Sequence, residues 1–171
     1  MTQERVHEVV SILTPITFRR AMRMFGTYLP DDSFSNNGIG PRLLNDDQDG
    51  GHFLLPTDVI KGRGEVDMAG ERVILQHAPG ETQDQLLVYL PARETLLLAD
   101  TYYPAFPILY SIRGSPYRDP RRWVSSLDDM RAFRASVMIP QHSQPVIGAE
   151  EIDRRLMNYR DAIQYVHDET I

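Results

Sequence analysis

From residue 52 onward the chain alternates short apolar runs with turn residues. HFLLP, TDVI, EVDM, RVILQH, QLLVYL and TLLLA follow one another, punctuated by Lys61-Gly62-Arg63-Gly64, Ala69-Gly70 and Pro79-Gly80. Runs of this length between turn signals predict β-strands. Leu86 to Leu90 is apolar at successive positions, so the predicted sheet is covered on both faces, or nearly so. The period then changes. Asp119-Pro120 offers a capping carboxylate followed by proline at the first helical position, and Trp123, Leu127, Met130 and Phe133 form that helix's apolar face. Ser136 to Ile139 predicts one more strand, ended by Pro140. Ile152, Leu156, Tyr159, Ile163 and Val166 recur at helical spacing, which predicts a last helix starting at Gly148 to Glu151.

Upstream, residues 4 to 25 predict a helix broken or kinked at Pro15, and residues 30 to 51 predict a long loop rich in Asp, Asn, Gly and Ser. The expectation is a single domain over 1–171, with a helix and long loop in 1–51 and a sheet with covering helices in 52–171. The fold class is α/β, with helices on one face of a mixed sheet. Two amphipathic helices cover one face only. The other face needs a second sheet, another subunit or a missing part of the chain.

Composition and charge narrow the function. At 171 residues one domain with a sizeable core is expected. A net charge of −6 gives no general attraction to nucleic acid or anionic membrane, so neither is expected as a partner. The chain has no cysteine, which removes thiolate nucleophiles, disulfides and Cys-type metal sites. No apolar run approaches the roughly 20 residues that span a bilayer. The start, MTQERVHEVV, lacks a signal-peptide core. The default location is cytoplasmic, with periplasmic or secreted open if an N-terminal segment is missing.

Three polar residues stand at predicted strand ends. Glu81 follows Pro79-Gly80, Asp100 closes the run TLLLA, and His142 follows the strand SVMI. Two carboxylates and an imidazole suit a divalent cation such as zinc. Taken singly, each also reads as a turn residue, a helix cap or a surface side chain.

The order of local motifs resembles the second half of the metallo-β-lactamase-fold alkyl sulfatases, zinc hydrolases of long-chain alkyl sulfate esters. Met22-Arg23-Met24-Phe25-Gly26 with Leu29-Pro30 is similar to that family's MYG…LP stretch. Pro56-Thr57-Asp58-Val59-Ile60 resembles PTDTI, and Ala78-Pro79-Gly80-Glu81-Thr82 resembles the TPGTEAP turn. Leu109 to Gly114 with Arg118-Asp119-Pro120 and Trp123 resembles LYTLRG…RDP..W. His142, Pro145 and Gly148 follow SHHWP..G, and Tyr159 to Thr170 follows QRDLYKYLHDQT.

The resemblance implies roles residue by residue. Glu81 falls on a ligand of one zinc, Asp100 on the acidic residue that bridges two, and His142 on the late histidine ligand of the second. Arg113 falls on the arginine that grips sulfate, and an alkyl sulfate-like small molecule is the implied substrate. The departures are equally specific. The superfamily's His-x-His-x-Asp-His run is absent, and the five histidines lie far apart in sequence. Ile108 stands where the family has an asparagine that contacts sulfate. Ser143 replaces the second histidine of SHH, and Arg118 replaces a histidine proposed as catalytic acid in some members. The chain therefore resembles half of an αββα sandwich. The expected function is part of a zinc-dependent sulfate ester hydrolase that is inactive alone. The alternative is a truncated or degenerate non-catalytic module acting through self-association or a partner.

Overall fold

The structure is a computed structural model, and it describes residues 56–109 and 117–170. The chain divides into two compact units, Met1–Pro56 and Thr57–Ile171. Apart from Pro56, the described residues belong to the second. The predicted helix over 4–25, the loop over 30–51, the strand HFLLP up to Leu55, and Arg113 lie outside the described residues.

The second unit holds a six-stranded mixed sheet in sequential order. β1 (Arg63–Met68), β2 (Glu71–His77), β3 (Leu86–Leu90) and β4 (Thr95–Leu97) form an antiparallel meander. β5 (Val137–Ile139) joins β4 in parallel, and β6 (Val146–Ile147) closes the sheet antiparallel to β5. Helix α1 (Pro120–Ala132) makes the crossover from β4 to β5, and α2 (Ala149–Glu169) ends the described chain.

Local chemistry sets these boundaries. Ala69-Gly70 turns β1 into β2 with both residues at positive φ, 55° and 84°, and the Asp67 carboxylate accepts the Gly70 N–H at 2.9 Å. The Asp119 carboxylate caps α1 by accepting from the Arg121 and Arg122 amides, and Pro120 occupies the first helical position. Two expectations are corrected. Thr57 to Ile60 is not a strand but an irregular lead-in: it carries only two apolar residues, and Asp58 accepts from the Thr57 hydroxyl beside it. Val146–Ile147 is a strand that its brevity between Pro145 and Gly148 concealed.

The core lies between the sheet and the two helices. Leu96 pairs with Met138 across β4 and β5, and Leu87 lies on the same face of β3 as Tyr89, the partner of Leu96. They pack with Trp123, Leu127, Met130, Ile152, Leu156 and Ile163 in one cluster. The other sheet face carries Leu75, Val88, Leu97 and Ile139, which lie opposite one another in four adjacent strands. On that face Leu86 and Ile139 are each 37% exposed and Ile147 is 68% exposed. The run at 86–90 is thus apolar on both sides, as the sequence implies, but only the Leu87 side is closed by the helices.

Trp123 has no exposed surface, and its indole N–H donates to the Thr101 carbonyl at 2.8 Å. A buried carbonyl stripped of its donor costs about 1–3 kcal/mol. Trp123→Phe should therefore lower unfolding stability by that amount, read as a shifted urea midpoint by circular dichroism, since Trp123 is the sole tryptophan fluorophore. An unchanged midpoint would show that the indole bond contributes nothing.

Candidate metal and substrate site

β2, β4 and β5 all run in the same direction: β2 and β4 are each antiparallel to β3, and β5 is parallel to β4. Their C-terminal ends therefore lie at one edge of the sheet. Glu81, Asp100 and His142 each follow one of these three ends. Carboxyl ends of strands in α/β folds are where binding groups gather, because the loops there are free to vary over a fixed frame.

The loops are tied down from beneath. A Cβ added at Gly80 would sit 3.0 Å from Gln85 Oε1, 3.1 Å from Thr101 Cγ2 and 3.1 Å from Trp123 Nε1. Gly80 is thus needed for the close approach of the Glu81 turn to the Asp100 turn. The Ser126 hydroxyl donates to the Pro79 carbonyl at 2.7 Å, and the Gln141 amide donates to the Ala99 carbonyl at 3.3 Å. Ala99 holds φ at 46°, a left-handed conformation that costs an alanine roughly 1–2 kcal/mol. The surrounding fold imposes it at the residue that introduces Asp100.

The structure brings two of the three candidates together. His142 Nε2 lies 3.0 Å from Asp100 Oδ1. The contact is at ion-pair distance, and Oδ1 is buried with no hydrogen-bond partner among the described residues. Two ligands held about 2.0–2.2 Å from a shared ion, as in zinc sites, lie about 3.0–3.5 Å apart. An orphaned carboxylate oxygen facing an accessible imidazole at this distance fits a divalent metal position.

Glu81 is held otherwise. Its Oε1 accepts from an Arg118 guanidinium nitrogen at 2.6 Å, and a second Arg118 nitrogen donates to the Ile108 carbonyl at 2.6 Å. Among the described residues, no three His, Asp or Glu side chains are close enough together to hold an ion by themselves. Arg113 lies outside the described residues.

Sequence reasoning missed two residues at this edge. Arg118 registered only as a departure from a family pattern, and its grip on Glu81 spans 37 positions, beyond any local signal. Tyr159 read as one member of the last helix's apolar stripe. Its ring packs against Tyr102, Tyr103 and Trp123 at centroid distances of 5.0, 6.0 and 6.3 Å. Its hydroxyl is buried with no partner among the described residues. Burial, with Tyr103 and the Glu81 carboxylate nearby, pushes this phenol well above the ordinary tyrosine range.

Comparison with known proteins accords with this geometry. Residues 12–142 match the model of the metallo-beta-lactamase superfamily. The chain belongs to that superfamily. It is 38% identical over 164 residues to a linear primary-alkylsulfatase of Pseudomonas sp. (strain ATCC 19151), a match covering 94% of this chain and 30% of that protein. It is 33% identical over 124 residues to an alkyl/aryl-sulfatase of Saccharomyces cerevisiae, covering 70% of this chain and 19% of the relative. The chain thus spans less than a third of the length of these relatives. A solved structure of a double mutant of the sec-alkyl sulfatase PisA1 superposes with a TM-score of 0.76 at 22% identity, over 96% of this chain and 27% of that one. Half of a metallo-β-lactamase sandwich is the fold found. Among the described residues, no helix is long and apolar enough to cross a membrane.

Tyr159 gives a pH prediction. Its folded pKa is raised above the unfolded value of about 10, so unfolding releases a proton once pH passes that value. Stability contributed by the neutral phenol is full below about pH 10 and falls as pH rises above it. Tyr159→Phe should flatten the alkaline decline, because the variant has no phenol to ionise. Urea midpoints at neutral and alkaline pH measure it. A decline of equal slope in the variant would assign the effect elsewhere.

Proposed function

We propose that this chain is part of a zinc-dependent, alkyl sulfatase-like hydrolase of sulfate esters, with further metal ligands supplied from outside the chain. Glu81, Asp100 and His142 are its zinc ligands, and Arg113 holds the sulfate of an alkyl sulfate-like substrate. The carrying observation is Asp100 Oδ1, buried, without a hydrogen bond, 3.0 Å from His142 Nε2. The alkylsulfatase relatives support the substrate class.

Zinc, when bound, lowers the pKa of a coordinated water and so provides hydroxide near neutral pH. The chain's own groups do the rest. Asp100 and His142, at the ends of two parallel strands, would hold the ion. The Arg113 guanidinium fork matches two oxygens of a tetrahedral oxyanion and stabilises the leaving sulfate. Tyr103 and Phe106 line a pocket near the same edge whose apolar surface suits an alkyl chain.

A second reading is favoured by the open sheet face. Leu86, Ile139 and Ile147 are exposed on it, and exposed apolar surface of this kind marks association sites. On that reading the chain is a non-catalytic module that pairs with another copy or with a further segment of the same fold. Sedimentation of the isolated chain addresses it, and a monodisperse monomer at high concentration would remove it.

The principal test is alkyl sulfate hydrolysis by the purified chain with added zinc. Turnover at or near background is expected, because the His-x-His-x-Asp-His run is not in this sequence. Robust turnover abolished by a chelator would show that the chain assembles its metal site unaided.

A further inference from the structure

We infer that the groove between α2 and the segment after Asp100 binds the alkyl chain of an anionic amphiphile, and that Ala162 sets how long a chain it takes. The inference deepens the sulfate ester reading above and rests on it for the head group. Tyr103, Phe106, Tyr159 and Ala162 line the groove, whose volume is about 320 Å³. Small-molecule sites run from about 300 to 1,000 Å³. Phe106 is 56% exposed, so a large apolar ring stands in water beside a groove that could take it out of water with a ligand.

Length and polarity come from α2. Arg155, Tyr159 and Ala162 are spaced i, i+4 and i+7, so they follow one face of the helix. A rise of about 1.5 Å per residue puts about 10 Å between Arg155 and Ala162. With carbon–carbon bonds of about 1.5 Å, that is the reach of an extended chain of roughly eight carbons. The Arg155 end lies toward the turn that carries His142, because Arg155 also lines a neighbouring cavity with Ser143 and Pro145. The groove's lining holds this one cationic side chain and no carboxylate, in a chain of net charge −6. Arg155 Nε donates to Glu151 Oε1 at 2.6 Å, and a guanidinium has further donors for an anionic head. At the other end Ala162 is the smallest of the three side chains, so the groove stays open there.

The wall opposite α2 is ordered in advance. The Tyr103 hydroxyl accepts the Ile108 N–H at 3.3 Å, and the Ile108 carbonyl accepts from Arg118 at 2.6 Å. The Ala105 N–H donates to the Tyr103 carbonyl at 2.8 Å. A wall already held in place loses little freedom when a ligand arrives.

The test is amide NMR of the full chain titrated with sodium butyl, hexyl, octyl and decyl sulfate, each kept below micelle-forming concentrations. Resonances of Tyr103, Phe106, Asn158 and Ala162 should shift saturably. Affinity should rise about two- to fourfold per methylene up to roughly eight carbons and then level off. Ala162→Leu keeps a strong helix former but fills the end of the groove. It should weaken octyl sulfate about fivefold or more and leave butyl sulfate unchanged. Ala162→Gln is read the same way if the leucine form does not fold. Arg155→Gln should weaken octyl sulfate severalfold and leave 1-octanol unchanged. The same ratio of octyl to butyl affinity in folded Ala162 variants would overturn the inference. So would shifts confined to Leu86, Ile139 and Ile147, which would place the chain on the open sheet face, or equal affinity for octyl sulfate and 1-octanol. The readout needs neither zinc nor hydrolysis, so failure here leaves the zinc reading standing, and failure of zinc to bind leaves the groove standing.

Discussion

The arrangement of this edge depends on one buried side chain. Trp123 stands on the first turns of α1, with its indole N–H bonded to Thr101 and its ring beneath Gly80. The turn bearing Glu81 and the turn bearing Asp100 come from different strands, and each rests on this ring. The same tryptophan meets Tyr159 from α2 at an aromatic edge contact. An indole suits the position because it fills a large apolar volume and still has one donor for a carbonyl that would otherwise be buried unpaired. Phenylalanine would supply the volume alone, and histidine the donor without the volume.

The constraint runs in both directions. Ala99 at φ 46° and the unpartnered Asp100 oxygen are each costly in isolation. Costs of this kind persist only where surrounding contacts over-determine the backbone. Here the Gln141 amide on Ala99, the indole on Thr101 and the parallel pairing of β4 with β5 hold the segment from three sides. The result is a carboxylate oxygen kept away from water yet facing an exposed imidazole.

Much of this was legible in the sequence, for identifiable reasons. The cap at Asp119, the Trp123–Leu127–Met130 face and the Ile152–Leu156–Tyr159–Ile163 stripe follow from period and capping chemistry, and each stands in the structure. The placement of Glu81, Asp100 and His142 after strands was legible because turn residues mark strand ends. That the three strands share a direction was not, since it depends on how many antiparallel pairings intervene. Thr57 to Ile60 misled because a two-residue apolar pattern is too short to separate a strand from a lead-in. Val146–Ile147 was lost for the same reason. The Arg118–Glu81 pair could not be read locally at all. The identity of residue 118 showed a departure from family pattern, and only the fold shows which group the guanidinium reaches.

That departure bears on how a charged site survives in a small, partly open layer. The Glu81 side chain is only 27% exposed, and burying a carboxylate to that depth without a partner is costly. The Arg118 guanidinium, itself 12% exposed, offsets that cost with a charge-assisted hydrogen bond at 2.6 Å. A planar fork suits the position because a second nitrogen reaches the Ile108 carbonyl at the same time. In this chain the Glu81 end of the edge is therefore held by one guanidinium that joins a strand-end turn to the segment at Ile108.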